Sequence, residues 1–526
     1  MSFWAGKQEN TFEHERDGSL NSVVWSREKM ISRRSLFLSG TVAAMTAGTA
    51  IWVGNRPGKT NELALASRPR LSYPPLLDAT RNSEFKLRAK YGTHAFGTGV
   101  ESSTAGFDQS YLGPTVLLKQ GETRARVENA LNEDISVHWH GLMVSGDQDG
   151  GPHQPIAPGD SWSVDLNVNQ QPSTLWYHSH SHRRTAVQVY HGLAGMMILT
   201  DGMDGERGLP NSYGTDDLAL VFQDRRFGSD GKLSYDLGMM DLMHGFTGEV
   251  VTVNGQIDAV AMVPKGIARL RLLNGSNARI YELFIDDGRP MQLIATDGGY
   301  VPNPIELNGL TLSPGERAEV LIDFSDGNPI TIYSRDDPNQ GPAGMMGRVR
   351  GLYDTLFISS FPILSIAVDD RIPARVTKIP DELDGNSIVQ DRESGRTRSL
   401  TLNMGMRRMM RSGQSEIPLF AINNKAYEID KLNFSVPIGS TERWFIRSEM
   451  LSHPFHVHGT RFQVVSENGS DPRPEYAGWK DTVLVSGSVE LKMSFDKPAR
   501  PDKPFMFHCH ILEHEDNGMM GQFSVG

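Results

Sequence analysis

Apolar and polar residues alternate through most of this chain, in runs of about six positions closed by Gly, Pro or Asn. Successive side chains of a strand point to opposite faces, so a period of two predicts short β-strands joined by turns. Beyond residue 66 no stretch sustains a helical period. The strands also recur. LKQGETRARVENALNEDISVHWHG from Leu118, VPKGIARLRLLNGSNARIYELFIDDG from Val263 and VPIGSTERWFIRSEMLSHPFHVHG from Val436 align without gaps on Gly121, Gly266 and Gly439. Beyond those glycines, at one spacing, come His138-Trp139-His140, Leu283-Phe284-Ile285 and His456-Val457-His458. A second repeated block surrounds Gly159, Gly315 and Gly487, and a third reads TLWYHSHSH, PITIYSRDD and PFMFHCHIL.

These repeats predict an all-β chain built from three copies of one unit, at residues 67–203, 204–370 and 399–526. Residues 371–398, rich in Pro, Asp, Glu and Arg, read as a linker between the second and third units. Residues 1–66 stand apart. They carry Ser32-Arg33-Arg34-Ser35-Leu36-Phe37-Leu38, a weakly apolar stretch to about Gly54, and the small-residue site Ala64-Leu65-Ala66. This order looks like a twin-arginine export signal. The expectation is passage through the twin-arginine machinery to the periplasm, with cleavage before Ser67 and no membrane span in the mature form.

Composition narrows the chemistry. Lys+Arg is 52 and Asp+Glu is 63, a net charge of −11, which argues against nucleic acid and anionic membrane surfaces as partners. The single cysteine, Cys509, excludes an internal disulfide framework and clusters that need several thiolates. Beside it, 16 histidines and 23 methionines suggest soft-metal chemistry.

The histidines are patterned. Units one and three each carry two His-x-His pairs, His138/His140 with His178/His180 and His456/His458 with His508/His510. Residues i and i+2 of a strand share a face, so each pair presents two imidazoles side by side. One such pair is a weak signal; four at homologous places are a strong one. Eight imidazoles exceed the needs of one ion and would hold two or three at an interface of units one and three. The middle unit, with Leu283-Phe284-Ile285 and Tyr333-Ser334-Arg335 at those places, reads as a spacer. Cys509 points to the opposite face from His508 and His510. With His453, His514 and Met519 as weak axial ligand it makes the His₂Cys(Met) set of a blue-copper electron-transfer site. Zinc is the alternative, but it gives no reason for a thioether. An electron at Cys509 can pass along the backbone to His508 or His510, over a metal separation on the order of 10 Å.

The motifs HWHG, HSH, HPFHVHG and HCHILEHEDNGMM stand in this order, and through them residues from about Leu71 to Gly526 resemble the multicopper oxidases. VHWHGL, DGGP and GLAGMMI make the likeness closest to bacterial periplasmic cuprous oxidases and bacterial laccases. The resemblance implies three cupredoxin-like Greek-key β-sandwich or barrel domains and four coppers per chain. It implies a type 1 copper on His453, Cys509, His514 and Met519, and a type 2 copper on His138 and His456. The type 3 pair would take His140, His178, His180, His458, His508 and His510. Asp149 and Glu515 match acidic positions that relay protons to the cluster in the family.

The resemblance implies an oxidase that couples four one-electron oxidations of a reductant to reduction of O2 to water. Cu(I), with a role in copper tolerance, is the first reductant expected. Met404, Met406, Met409, Met410, Glu449 and Met450 are candidate Cu(I) ligands, although Arg407 and Arg408 among them would repel a cation. Phenols or aromatic amines, as in laccases, are the alternative. A copper-free scaffold serving cell division is the third reading, and the retained ligand set argues against it.

Overall fold

The computed structural model describes residues 65–340, 359–383, 395–405 and 419–526. The twin-arginine stretch, part of the expected linker, and Met406, Met409 and Met410 lie outside the described residues.

The described strands form six sheets that pack as three two-sheet sandwiches, in the cupredoxin-like arrangement. In unit one a four-stranded sheet is ordered Ser102–Phe107, Glu84–His94, Gly121–Asn129, Ser161–Val168. It faces a five-stranded sheet that ends in Ala194–Thr200, Ser173–Ser179 and Val137–His140. Alternation explains the packing. Phe85, Leu87 and Ala89 point inward from one sheet, and Val116, Leu118 and Trp139 meet them from the other. Each large apolar side chain so buried contributes about 1.5–3 kcal/mol. Parallel neighbours such as Leu76–Asp78 beside Thr115–Lys119 require crossovers between the sheets, hence the Greek-key path.

Four strands matter for function. We label them β1 (Val137–His140), β2 (Ser173–Ser179), β3 (His453–Val457) and β4 (Phe505–Cys509). All four are buried on both faces. One face of β1 and β2 sends Trp139, Leu175 and Tyr177 into the core of unit one. One face of β3 and β4 sends Phe455, Val457, Phe505 and Phe507 into that of unit three. The other faces carry histidines and meet each other. His138 lies opposite His178 in the β1/β2 ladder, and His456 opposite His508 in the β3/β4 ladder.

The middle unit departs from the gapless alignment by one residue. Its ladder pairs Phe284 with Tyr333, so these two occupy the place of the opposed histidines, while Leu283 and Ile285 point into the core. A shift of one position exchanges the faces of a strand, and the apolar pair is drawn inward.

Three short helices complete the site region: α1 (Thr185–Tyr190), α2 (Met239–His244) and α3 (Leu512–Asp516). The Asp516 carboxylate on α3 accepts the Thr185 and Ala186 N–H groups of α1, both at 3.0 Å, which ties unit three to unit one. Among the described residues no helix is long and apolar enough to cross a membrane.

Candidate metal centre

On the core face of β4, Cys509 sits among Phe455, Phe507 and Met519, with its thiol fully buried. Its Sγ lies 3.3 Å from Nδ1 of His453 and 3.7 Å from Nδ1 of His514, and those two nitrogens are 3.3 Å apart. The far nitrogen of His514, Nε2, donates to the Met243 carbonyl of α2 at 3.2 Å. A carbonyl only accepts, so the Nδ1 lone pair of His514 faces the sulfur. Phe420 stacks on the same ring at 4.4 Å. Met519 is buried in the same cluster, and its carbonyl accepts the Cys509 N–H at 3.0 Å. Burial pushes the Cys509 thiol up and the His453 imidazole down to about 3. The imidazoles are therefore in the neutral, ligating form, and a bound soft cation is needed to hold the thiolate.

On the other face of β4 the eight paired histidines converge, four from each of units one and three. His140, His178 and His510 form one triad, and His180, His458 and His508 a second. His138 and His456 face one another through their Nε2 atoms at 3.5 Å. Hydrogen bonds at the rim fix the tautomers. Nδ1 of His138 donates to the Asp149 carbonyl at 3.0 Å, and Nδ1 of His178 to the Ser179 carbonyl at 2.8 Å. His456 donates in the same way to the Asp481 carbonyl at 2.8 Å, and His508 to the Cys509 carbonyl at 3.1 Å. Each ring thus turns an Nε2 lone pair inward. Within the second triad, Nε2 of His508 lies 3.3 Å from that of His180 and 3.2 Å from that of His458. Lone pairs set against lone pairs repel unless a cation lies between them. Both ring nitrogens of buried His510 lack any hydrogen-bond partner. The donor set therefore fits metal ions: imidazoles throughout the cluster, and a thiolate with two imidazoles on the far side of β4.

The two acids expected to relay protons touch the rim. Asp149 is buried and accepts from Nδ1 of His458 at 2.7 Å. Glu515 on α3 places its carboxylate 3.2 Å from Nδ1 of His508 and 3.5 Å from Nδ1 of His180. Burial alone would raise the Glu515 carboxyl, but His180 and His508 outweigh it and bring it to about 2. Glu515 also lines a cavity of about 480 Å³ with His182, Arg183, Tyr427 and Asp516.

Three of the candidate Cu(I) ligands, Met404, Glu449 and Met450, lie among the described residues. Met404 is buried in the core of unit three, paired with Phe420, whereas Glu449 and Met450 are exposed in the turn after Thr441–Ser448. Several residues of the site carry no sequence signal. Asp481 holds His140 at 3.0 Å, and Arg317 of the middle unit holds Asp481 at 2.6 and 2.7 Å. Gly315, also of the middle unit, packs so closely that a Cβ there would lie 2.8 Å from the His510 ring. The middle unit is therefore more than the spacer expected. It reaches the cluster because its loops around Gly315 and Asp297 meet both neighbouring units.

Multicopper oxidase family models match residues 88–204, 225–335 and 397–526. The chain is 35% identical over 479 residues to cell division protein FtsP of Yersinia pestis, spanning 90% of this chain and 96% of that one. It is 33% identical over 488 residues to FtsP of Escherichia coli strain K12, spanning 91% and 97%. Among solved structures, it resembles the laccase-like multi-copper oxidase CueO from Ochrobactrum sp., with TM-score 0.80 and 40% identity over 87% of this chain and 100% of that one. It also resembles the McoA multicopper oxidase of Aquifex aeolicus, with TM-score 0.75 and 27% identity over 88% and 100%. These relatives correct the expected role. The expectation of an oxidase of Cu(I) or phenols in copper tolerance, ahead of a cell-division role, gives way to relatives that match nine-tenths of the chain and are named cell division proteins. The reason is physical: ligand motifs encode which metals a chain can hold, whereas the process it serves depends on surfaces that those motifs do not contain.

Proposed function

The chain belongs to the multicopper oxidase family, and from that premise we propose that it is a copper-holding member, exported to the periplasm, that acts in cell division. We further propose that it keeps an oxidase activity with dioxygen as electron acceptor. The cell-division role rests on the relatives' name. The activity rests on one observation: Cys509 presents its sulfur to one ligand group while His508 and His510, one residue to either side, belong to the two triads behind it.

Copper, when bound, supplies one-electron storage at the thiolate site and dioxygen chemistry at the histidine cluster. The chain supplies the rest. β4 provides a short covalent route between the two groups. The rim acceptors hold the imidazoles in one tautomer, so the ligands need little rearrangement to bind. Asp149 and Glu515 stand where protons can be held beside the cluster, and the Glu515 cavity leads toward His182 and Arg183.

Two experiments test this. After copper loading, the chain should hold about four copper ions and show the intense visible band of a copper–thiolate bond. A colourless protein with no bound copper would end the copper reading. Deleting the gene in its host should produce filamentous cells that the wild-type chain restores. Unaltered septation in the deletion strain would end the cell-division reading.

A further inference from the structure

His140 is the exception among the rim-bonded imidazoles. His138, His178, His456, His458 and His508 direct Nδ1 outward, to Asp149, Ser179, Asp481 or Cys509, and leave Nε2 facing the cluster. His140 is reversed. Its Nε2 points outward to the Asp481 carboxylate at 3.0 Å, and its Nδ1 points inward, 3.4 Å from Nε2 of His178. A carboxylate only accepts, so Nε2 carries the hydrogen and Nδ1 the lone pair.

Asp481 is itself held from the middle unit. Arg317 grips both carboxylate oxygens, at 2.7 and 2.6 Å, in a buried bidentate pair. It also donates to the carbonyls of Thr174 at 3.1 Å, Gly315 at 3.0 Å and Asp297 at 3.1 Å, and the Asp297 carboxylate lies 3.6 Å away. One guanidinium therefore touches all three units: Thr174 on β2, its own loops, and Asp481 beside β3. Thr482 adds a hydroxyl to the same Asp481 oxygen at 2.9 Å. Lys480 is buried as well and pairs with Asp297 at 3.1 Å and Glu316 at 2.8 Å, fixing the loop that carries Asp481. Charges are costly to bury unless paired, and here the two cations Arg317 and Lys480 are shared among the three carboxylates of Asp481, Asp297 and Glu316.

We propose that Asp481 and Arg317 are positioning residues by which the middle unit, which gives no histidine to the cluster, selects Nδ1 of His140 as its ligating nitrogen. Assembly of the three units and metal loading of the cluster are then coupled through one ion pair. The proposal rests on the reading that the cluster holds copper.

The test uses the full chain, loaded with copper, in four forms: wild type, Asp481→Ala, Asp481→Asn and Arg317→Ala. Three quantities are read: copper per chain, the visible copper–thiolate band, and the paramagnetic resonance of copper bound by nitrogen alone. Asp481→Ala should weaken copper binding at the cluster by about 10–100-fold while the visible band stays, because the Cys509 group lies on the other face of β4. The retained band also shows that the variant has folded. Asp481→Asn keeps an acceptor for Nε2 and should recover part of the loss. Arg317→Ala should lower cluster copper in the same direction with the band intact. If Asp481→Ala carries as much cluster copper as wild type, with the same resonance, the clamp is wrong. If both alanine variants lose the band and the cluster copper together, selective positioning is wrong too. If wild type itself takes up no copper, it is the copper reading that falls.

Discussion

At the residue scale the centre depends on side chains that have no substitute. Cys509 is the chain's single cysteine, and on β4 its sulfur faces away from the side on which its neighbours His508 and His510 join the cluster. Replacing Cys509 by Ser should remove the visible copper–thiolate band and about one copper per chain, leaving the histidine cluster loaded; absorption and metal content check this. Gly315 is a second such position. Its φ is +84°, and a Cβ would lie 2.8 Å from the His510 ring. Gly315→Ala should cost about 1–3 kcal/mol in backbone strain, before any clash, and should lower copper occupancy at the cluster. Thermal denaturation and metal analysis read the two effects separately. The histidines were legible in the sequence because a spacing of two fixes a shared face whatever the fold. Asp481 and Arg317 were not, because their partners lie 341 and 164 residues away along the chain.

At the element scale, the strands carry function on one face and stability on the other. Trp139 lies between His138 and His140 and points into the core, edge-on to Phe85 at 5.6 Å between ring centroids. It anchors β1 so that its neighbours are aimed at unit three. Trp139→Ala should destabilise the chain by roughly 3–5 kcal/mol, seen as a lower melting temperature even without metal. A variant that melts like wild type would show that β1 is held by its histidine face instead. The middle unit shows the limit of pattern reading. Its repeat is recognisable, but the gapless alignment sets Leu283 opposite the wrong residue, and the ladder shows Phe284 pairing with Tyr333. Register is a property of two strands, and a single sequence displays only one of them at a time.

At the scale of the whole molecule, buried ion networks join the units. Glu319 of the middle unit accepts from Thr174 of unit one at 2.7 Å and pairs with Arg269 and Arg271. Burial would raise its carboxyl, but the two guanidinium groups prevail and hold it at about 2, against 4.5 ordinarily. A depressed carboxyl favours the fold when ionised. Its contribution is therefore complete above about pH 4.5 and is lost as the pH falls toward 2. Glu319→Gln should destabilise the chain at neutral pH by up to about 3 kcal/mol, since Arg269 and Arg271 lose their shared carboxylate and keep only those of Asp204 and Asp217, and should flatten the acid limb between those values. Chemical denaturation at a series of pH values measures both.

The sequence by itself determined the β-strand period, the three-fold repeat, the family and the residue types that gather metal, because each is written in short-range spacing. Tertiary structure alone decided which nitrogen of each imidazole faces inward, that the middle unit clamps the cluster through Arg317, and where the candidate Cu(I) methionine Met404 comes to rest. Those are outcomes of packing between distant segments, and no local spacing contains them.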